Sequence, residues 1–274
     1  MSSSLIASRD RFSQSHPEEL RKFGEREWGC IRAGSAGPSL VLLPGTLGRA
    51  DIFWQQIEAL EHEARILALS YPAAGGISDW SDDIAAMVRK DNLQDATILG
   101  SSLGGYVAQE TSASHPDLIS ALVAANTLPD ASIVSNIPPY ALDLETVEIE
   151  VLANGFLNGL RTWMTDGHPY CYLAELLVAE VEGRIPEKQL RNRLIALKEA
   201  PKLPRQTLTA DSIYTVESDD DHLIPPPVRS ALRDALKPAK AFNMGDASHF
   251  PYVTKPDMYI AMLREVLGLT KVDG

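Results

Sequence analysis

Residues 96–105 read ATILGSSLGG, and this stretch decides the fold of the chain. Its first four residues predict a buried strand, and the next five match the pattern G-x-S-x-G around Ser102. Glycines flank the serine because the chain must turn sharply from a strand into a helix, where neighbouring side chains would clash. A helix is predicted to follow through residues 106–109. The pattern therefore places the Ser102 hydroxyl at the carboxyl end of a strand, beside a helix N-terminus that favours negative charge.

Apolar strands and helices alternate on both sides of this stretch. The run at residues 39–43 is apolar almost throughout, which is typical of a strand buried on both faces. The alternation predicts a mostly parallel central sheet flanked by helices, which is an α/β fold. The other predicted strands are at residues 27–33, 65–69, 119–125, 212–216 and 239–244. The predicted helices are at residues 51–60, 80–88 (with Ser81 as a possible N-cap), 228–236 and 256–267.

The pattern changes between residues 130 and 205. This region has helical stretches at residues 144–160, 172–182 and 187–197 and no convincing strand, so we interpret it as a helical cap inserted into the sheet domain. The core domain is then residues 23–129 together with residues 206–274. Residues 1–22 are polar and are expected to form an N-terminal arm on the edge of that domain.

A second loop with functional potential is LLPGTLG at residues 42–48, which also follows a buried strand. A tetrahedral intermediate needs two backbone N–H donors for its oxyanion. The usual pair is the residue after the nucleophile and one residue of such an early loop, which here are Leu103 and Thr46. The same loop would also suit an ordinary strand-to-helix turn.

The candidate general base is His249, in the segment GDASHFP at residues 245–251 between the last strand and the last helix. A base must come from a loop at the same sheet edge as Ser102, and the chain order Ser, acid, His favours this position. The other five histidines fit less well: His16 in the arm, His62 between two glutamates, His115 at a helix end, His168 in the cap and His222 after an acidic run.

The acid that would orient His249 is left open among several carboxylates. The segment ESDDD at residues 217–221 follows a predicted strand, and Asp221 is favoured within it. Asp219 and Asp220 are alternatives, and Asp130, which follows the strand ending at Ala125, is another. Three adjacent aspartates would also suit a solvated loop.

Composition excludes several classes of function. The formal net charge is −12 and there is no run of Lys or Arg, so nucleic-acid binding is not expected. No apolar run reaches membrane-spanning length and no signal-peptide pattern begins the chain, so we expect a cytoplasmic protein.

The two cysteines, Cys30 and Cys171, are expected to be buried thiols. No metal-ligand spacing appears, so neither a metal nor a cofactor is expected.

These residues together resemble the α/β-hydrolase superfamily over nearly the whole chain apart from the arm and cap. The turn at residues 221–225 resembles the acid-bearing turn of that family, which supports Asp221. The loop at residues 44–46 resembles the family's His-Gly-x oxyanion loop, with Pro44 where His is usual. That departure removes a side chain that often orients the loop, but it leaves the backbone donor in place.

Within the superfamily, several stretches resemble maspardin-like proteins: residues 41–44, 50–53, 67–72, 102–109 and 250–252. That resemblance implies a binding or adaptor role as much as an enzymatic one, because the catalytic histidine can be missing in that group. Here His249 occupies the corresponding loop, which favours activity.

Three functions are weighed from the sequence. The first is acyl transfer on an ester, thioester or lactone of a small molecule, with Ser102, His249 and Asp221 as triad. The second is a binding or adaptor protein on a hydrolase scaffold; a protein partner is possible but is not indicated by composition. The third is a cofactor-free C–C hydrolase, lyase or oxygenase. Large cap side chains would line the substrate pocket or pack the cap on the core: Phe156, Trp163, Met164, Tyr170 and Tyr172.

Overall fold

A computed structural model describes residues 4–269, and its centre is one eight-stranded sheet in the order β1-β2-β4-β3-β5-β6-β7-β8. Strand β2 pairs antiparallel with β1 and with β4, and all other neighbouring strands pair parallel. The predicted α/β-hydrolase fold, with a mostly parallel sheet, is confirmed. The strands are β1 (Glu19–Phe23), β2 (Arg26–Ala33), β3 (Ser39–Leu43), β4 (Arg65–Ser70), β5 (Ala96–Ser101), β6 (Ile119–Ala125), β7 (Ile213–Glu217) and β8 (Lys240–Asn243).

Helices cover both faces of this sheet. They are α1 (Ser4–Ser15), α2 (Trp54–Leu60), α3 (Ile77–Lys90), α4 (Leu103–Ser114), α5 (Ile149–Trp163), α6 (Cys171–Ala179), α7 (Glu187–Lys198), α8 (Pro226–Leu236), α9 (Pro251–Thr254) and α10 (Pro256–Val266). A π-helical turn at Glu180–Arg184 follows α6, and short 3-10 turns occur at Ala50–Phe53, Ala131–Ile133 and Ala210–Ser212. Helices α5, α6 and α7 come from the region interpreted as a cap, whose status as a separate unit stays a prediction.

Strand β3 illustrates how the core is built. Leu40 and Leu42 belong to the apolar cluster on one face of the sheet, while Val41 and Leu43 belong to the cluster on the other. All five residues of the strand are buried, because successive side chains point to opposite faces and helices cover both. Burial on both faces of the sheet explains why the sequence of this strand is a continuous apolar run.

Several local predictions were wrong. Helix α3 begins at Ile77 instead of residue 80, because the Asp79 carboxylate accepts the N–H of Gly76 at 2.9 Å and caps the helix there. Ser81 therefore lies inside the helix and is not its N-cap. The expected arm contains α1 and most of β1, which pairs with β2 and so belongs to the sheet. Cys30 is buried as expected, whereas Cys171 is only half-buried.

No helix within residues 4–269 is long and apolar enough to cross a membrane.

Candidate active site

Ser102 lies in a strained turn between β5 and α4. Its backbone has φ 55° and ψ −119°, a left-handed conformation that a residue other than glycine rarely adopts. A Cβ atom added to Gly100 would lie 1.9 Å from the Gly104 carbonyl oxygen, and one added to Gly104 would lie 2.2 Å from the Leu43 carbonyl oxygen. Both glycines are therefore required by close backbone contacts, which is the physical basis of the G-x-S-x-G pattern.

Neighbouring loops hold the Ser102 backbone in place. Its N–H donates to the Ala125 carbonyl at 2.9 Å, and Thr127 Oγ1 donates to the Ser102 carbonyl at 2.7 Å. The hydroxyl faces the loop after β3, because a Cβ built on Gly45 would lie 3.8 Å from Ser102 Oγ. Ser102 is partly exposed, and its Oγ has no hydrogen-bond partner among residues 4–269.

His249 and Asp221 form a buried pair at the same edge of the sheet. His249 Nδ1 lies 2.8 Å from Asp221 Oδ2, and the two residues are 5% and 3% exposed. Asp221 Oδ1 accepts the backbone N–H groups of Leu223 at 2.9 Å and Ile224 at 3.1 Å. Since Nδ1 faces Asp221, the atom of the imidazole left for chemistry is Nε2.

The environment keeps Asp221 ionised. Burial alone would raise its pKa, but the charge and hydrogen bond of His249, with further hydrogen bonds from Asn126 and the Ile224 amide, lower the pKa to about 2. A carboxylate at this position stabilises an imidazolium and fixes the tautomer of the ring.

The other carboxylates considered as the acid have different partners. Asp219 accepts from Asn243 Nδ2 at 2.8 Å. Asp130 is the N-cap of a 3-10 turn, where it accepts the Ser132 N–H at 2.9 Å. Asp220 Oδ1 accepts the N–H groups of Ala247 at 3.0 Å and Ser248 at 2.8 Å, and Tyr170 Oη donates to its Oδ2. Of the four candidates, Asp221 is the one that contacts His249.

The structure brings the two segments that carry the expected oxyanion donors together at the Ser102 turn. Leu103 is the first residue of α4, and Thr46 follows Gly45 in the loop after β3. A Cβ on Gly45 would lie 3.1 Å from Ser102 Cβ, so this loop packs directly against the turn. Neither the Leu103 N–H nor the Thr46 N–H has an acceptor in the described part of the chain.

Sequence analysis missed Asn126, which links Ser102 to the His–Asp pair. Asn126 Nδ2 donates to Asp221 Oδ2 at 2.9 Å, and the preceding residue accepts the Ser102 N–H. It is 1% exposed and has φ 44°, which asparagine tolerates better than most residues. A polar residue directly after the buried strand β6 was the available signal. Asp221 and His249 also lie in loops that follow parallel strands, four residues after β7 and six residues after β8.

Three of the large cap side chains, Phe156, Trp163 and Tyr170, pack against the apolar cluster on one face of the sheet. Trp163 stacks on His168 with ring centroids 5.7 Å apart, and it also contacts Tyr170. Tyr172 is 60% exposed.

A cavity of about 580 Å³ lies between α1, the residues 169–173 and the loop after β8, and it is lined by Tyr170, Asp220 and Lys255 among others. Neither Ser102 nor His249 lines it, so it is separate from the site described above.

Within residues 4–269, no three His, Cys, Asp or Glu side chains converge in a way that could hold a metal ion.

Comparisons with known proteins agree with this architecture. The family model described as "Alpha/beta hydrolase family" matches residues 40–262. RutD of Serratia proteamaculans (strain 568), provisionally assigned as a carbamate hydrolase, is 33% identical over 241 residues, which are 82% of this chain and 89% of that protein. The pimeloyl-[acyl-carrier protein] methyl ester esterase of Vibrio vulnificus (strain YJ016) is 25% identical over 246 residues, 85% of this chain and 95% of that protein.

Among solved structures, the enol-lactonase from Burkholderia xenovorans LB400 is similar in fold. It superposes with a TM-score of 0.74 at 17% sequence identity, covering 91% of this chain and 100% of that one.

Proposed function

The chain belongs to the α/β hydrolase family, and on that premise we propose that it is a serine hydrolase that cleaves ester-type bonds of small molecules. The carboxylic ester, thioester or lactone carbonyl would be attacked by Ser102, with His249 as general base and Asp221 as its orienting acid. The N–H groups of Thr46 and Leu103 would bind the oxyanion.

The proposed reaction has two halves. Ser102 Oγ attacks the carbonyl carbon while His249 Nε2 takes its proton, and the tetrahedral intermediate collapses to an acyl-enzyme as the imidazolium protonates the leaving group. His249 Nε2 then removes a proton from water as the water attacks the acyl-enzyme, and it returns that proton to Ser102 Oγ as the acid is released. Asp221 keeps Nδ1 of the ring protonated throughout, so that Nε2 is the atom that accepts the proton.

The observation that carries this proposal is the buried 2.8 Å contact between His249 Nδ1 and Asp221 Oδ2, at the sheet edge where Ser102 turns into α4. Removing an imidazole and a carboxylate from water is unfavourable unless they are paired. The pairing leaves one imidazole nitrogen, Nε2, for proton transfer. Relatives that act on a methyl ester and, by assignment, on a carbamate support a carbonyl substrate with a small leaving group.

The test is activity-based labelling followed by a substrate panel. A fluorophosphonate probe should label the wild-type protein and fail to label Ser102→Ala. On p-nitrophenyl esters, thioesters and lactones, Ser102→Ala should lower kcat by about 10³- to 10⁶-fold. Ser120→Ala is the matched control, because Ser120 is an exposed serine of β6 whose hydroxyl donates to Asp95. Equal inactivity of wild type and Ser102→Ala across the whole panel would contradict the proposal.

A second candidate is a binding or adaptor protein, which the likeness to maspardin-like proteins suggests. It is favoured by the lack of a hydrogen bond between Ser102 Oγ and any of residues 4–269, although such bonds are often loose in the absence of substrate. This candidate predicts no labelling of Ser102 and a stable complex with a protein partner.

The C–C hydrolase alternative predicts that the probe labels Ser102, that the protein does not turn over esters, and that it cleaves diketones.

A further inference from the structure

Arg193 is a cap residue that reaches the loop after β3. It lies on α7, is completely buried, and donates from Nη1 to the carbonyl oxygens of Thr46 at 2.7 Å and Gly48 at 2.8 Å. A single guanidinium nitrogen therefore bridges two carbonyls of the loop that carries the proposed oxyanion donor.

No carboxylate among residues 4–269 pairs with Arg193. Its guanidinium lies 5.3 Å above the ring of Tyr71, and its Nε and Nη2 have no hydrogen-bond partner in the described part of the chain. The nearby carboxylates form ion pairs with other arginines, Glu18 with Arg49 and Glu180 with Arg184. Burial lowers the pKa of Arg193 to about 10, so the side chain remains charged at neutral pH.

A buried, unpaired guanidinium is costly, and an apolar side chain of similar volume would often be more favourable for stability alone. The two strong hydrogen bonds to the loop are the interactions that an apolar side chain could not make. The burial of this charge is therefore better explained by control of the loop than by packing.

Four hydrogen bonds fix carbonyl oxygens of this loop. Tyr71 Oη donates to the Pro44 oxygen at 2.9 Å, and the Gly48 N–H donates to the Gly45 oxygen at 3.1 Å. Arg193 holds the Thr46 and Gly48 oxygens. Because the C=O and N–H of one peptide unit lie in a plane, anchoring these carbonyls also sets the directions of the loop's N–H groups. The Thr46 N–H belongs to the peptide unit whose oxygen accepts the Gly48 N–H. Arg193 holds the residues on both sides of this contact, because it binds the carbonyl oxygens of Thr46 and Gly48.

We infer that Arg193 is a positioning residue that locks the oxyanion loop in place, so that the seating of the cap helix α7 controls the geometry of the Thr46 donor. This inference rests on the proposed function. Arg193 acts through the loop and need not touch the substrate. Withdrawal of α7 would free two carbonyls at once and let the donor move away from the reacting oxygen.

The experiment compares Arg193→Met and Arg193→Lys with Asn192→Ala. Asn192 is the adjacent residue of α7, and its Nδ2 donates to the Gly75 carbonyl at 3.0 Å, so its loss removes a contact of the same helix without touching the oxyanion loop. Steady-state kinetics on a p-nitrophenyl ester and the rate of fluorophosphonate labelling are measured well below the melting temperature of each variant.

Arg193→Met should lower kcat about 10- to 100-fold with little change in KM, because oxyanion stabilisation is made in the transition state. Labelling should slow in parallel. Arg193→Lys should recover part of the loss, since an ammonium can also donate to both carbonyls. Asn192→Ala should keep kcat within about twofold of the wild-type value.

If Arg193→Met has a lower melting temperature but an unchanged kcat, the inference is overturned, because Arg193 would then contribute only to stability. If Arg193→Met does not fold, Arg193→Lys and Tyr71→Phe decide the question, because each perturbs the anchoring of the loop while the buried volume is largely kept. Both are expected to lower kcat at unchanged KM, and wild-type kcat in both would overturn the inference. A wild-type protein that is neither labelled nor active would instead reject the proposed function itself.

Discussion

Asn126 Nδ2 and His249 Nδ1 approach the same oxygen of Asp221, Oδ2, at 2.9 and 2.8 Å. Asn126 follows β6 and Asp221 follows β7, so the contact joins the ends of two neighbouring parallel strands. The amide fixes the rotation of the carboxylate, and the carboxylate in turn fixes the imidazole. Asn126 is thereby placed to orient the His–Asp pair without contacting Ser102 Oγ.

Replacing Asn126 should reduce activity through Asp221. Asn126→Gly removes the amide and suits the backbone at φ 44°, so it separates the loss of the hydrogen bond from backbone strain. We expect kcat to fall about 10-fold, consistent with the loss of one charge-assisted hydrogen bond of roughly 1.5 kcal/mol. Asn126→Ala should lower kcat by the same factor. Its free energy of unfolding, measured with urea, should be about 1 kcal/mol lower than that of Asn126→Gly, because alanine is strained at a positive φ. Unchanged kcat in both variants would remove Asn126 from the proposed site.

Asp220 is expected to position the loop that carries His249. Its Oδ1 accepts two backbone N–H groups of that loop, including that of Ser248, whose φ is 58°. Asp220→Ala should free the loop and lower kcat about 10- to 100-fold, because small displacements of a catalytic group are costly. The control is Asp219→Ala, because the exposed Asp219 side chain accepts a hydrogen bond only from Asn243 among residues 4–269. Amide hydrogen exchange of residues 246–250 should accelerate in the Asp220 variant alone, and equal exchange in both variants would contradict the assignment.

Two glycine substitutions should change stability in opposite directions. Gly104→Ala would place its Cβ 2.2 Å from the Leu43 oxygen and 2.6 Å from the Pro44 oxygen, so backbone must move and we expect a loss of about 2 kcal/mol or more. Gly155→Ala on α5 meets nothing within 4 Å and should gain about 0.5–1 kcal/mol. Urea unfolding monitored by circular dichroism measures both. A tolerated Gly104→Ala would mean that β3 and α4 are less tightly packed than described.

The ionisation of Asp221 should make stability depend on acid pH. Its pKa is about 2 in the folded chain and about 4 in an unfolded one, so its contribution is complete above about pH 4 and is lost as pH falls towards about 2. The shift corresponds to roughly 2.5 kcal/mol. The difference in unfolding free energy between wild type and Asp221→Asn should therefore shrink over that interval, as measured by urea titrations at pH 6, 4, 3 and 2.5. A difference that stays constant would show that the carboxylate is not stabilised in this way.

Strong local patterns were sufficient for much of the fold. The buried run at residues 39–43 and the turn at residues 100–104 are set by neighbours in sequence, and both were predicted at the correct positions. The start of α3 was missed because its cap is a glycine whose partner, Asp79, lies inside the helix. Strand β1 was missed because an edge strand of polar residues carries little apolar periodicity and depends on pairing with β2.

By itself, the sequence determined that a serine would sit in a glycine-flanked turn between a buried strand and a helix, because the steric demands of that turn act within five residues. Only the tertiary structure decided which carboxylate meets His249, since Asp219, Asp220 and Asp221 are adjacent in sequence and differ only in the direction that folding gives each side chain. It also decided that Arg193, 147 residues from Thr46, would hold the loop after β3. Contacts of that range depend on how helix α7 packs against the loop after β3, and no local pattern encodes them.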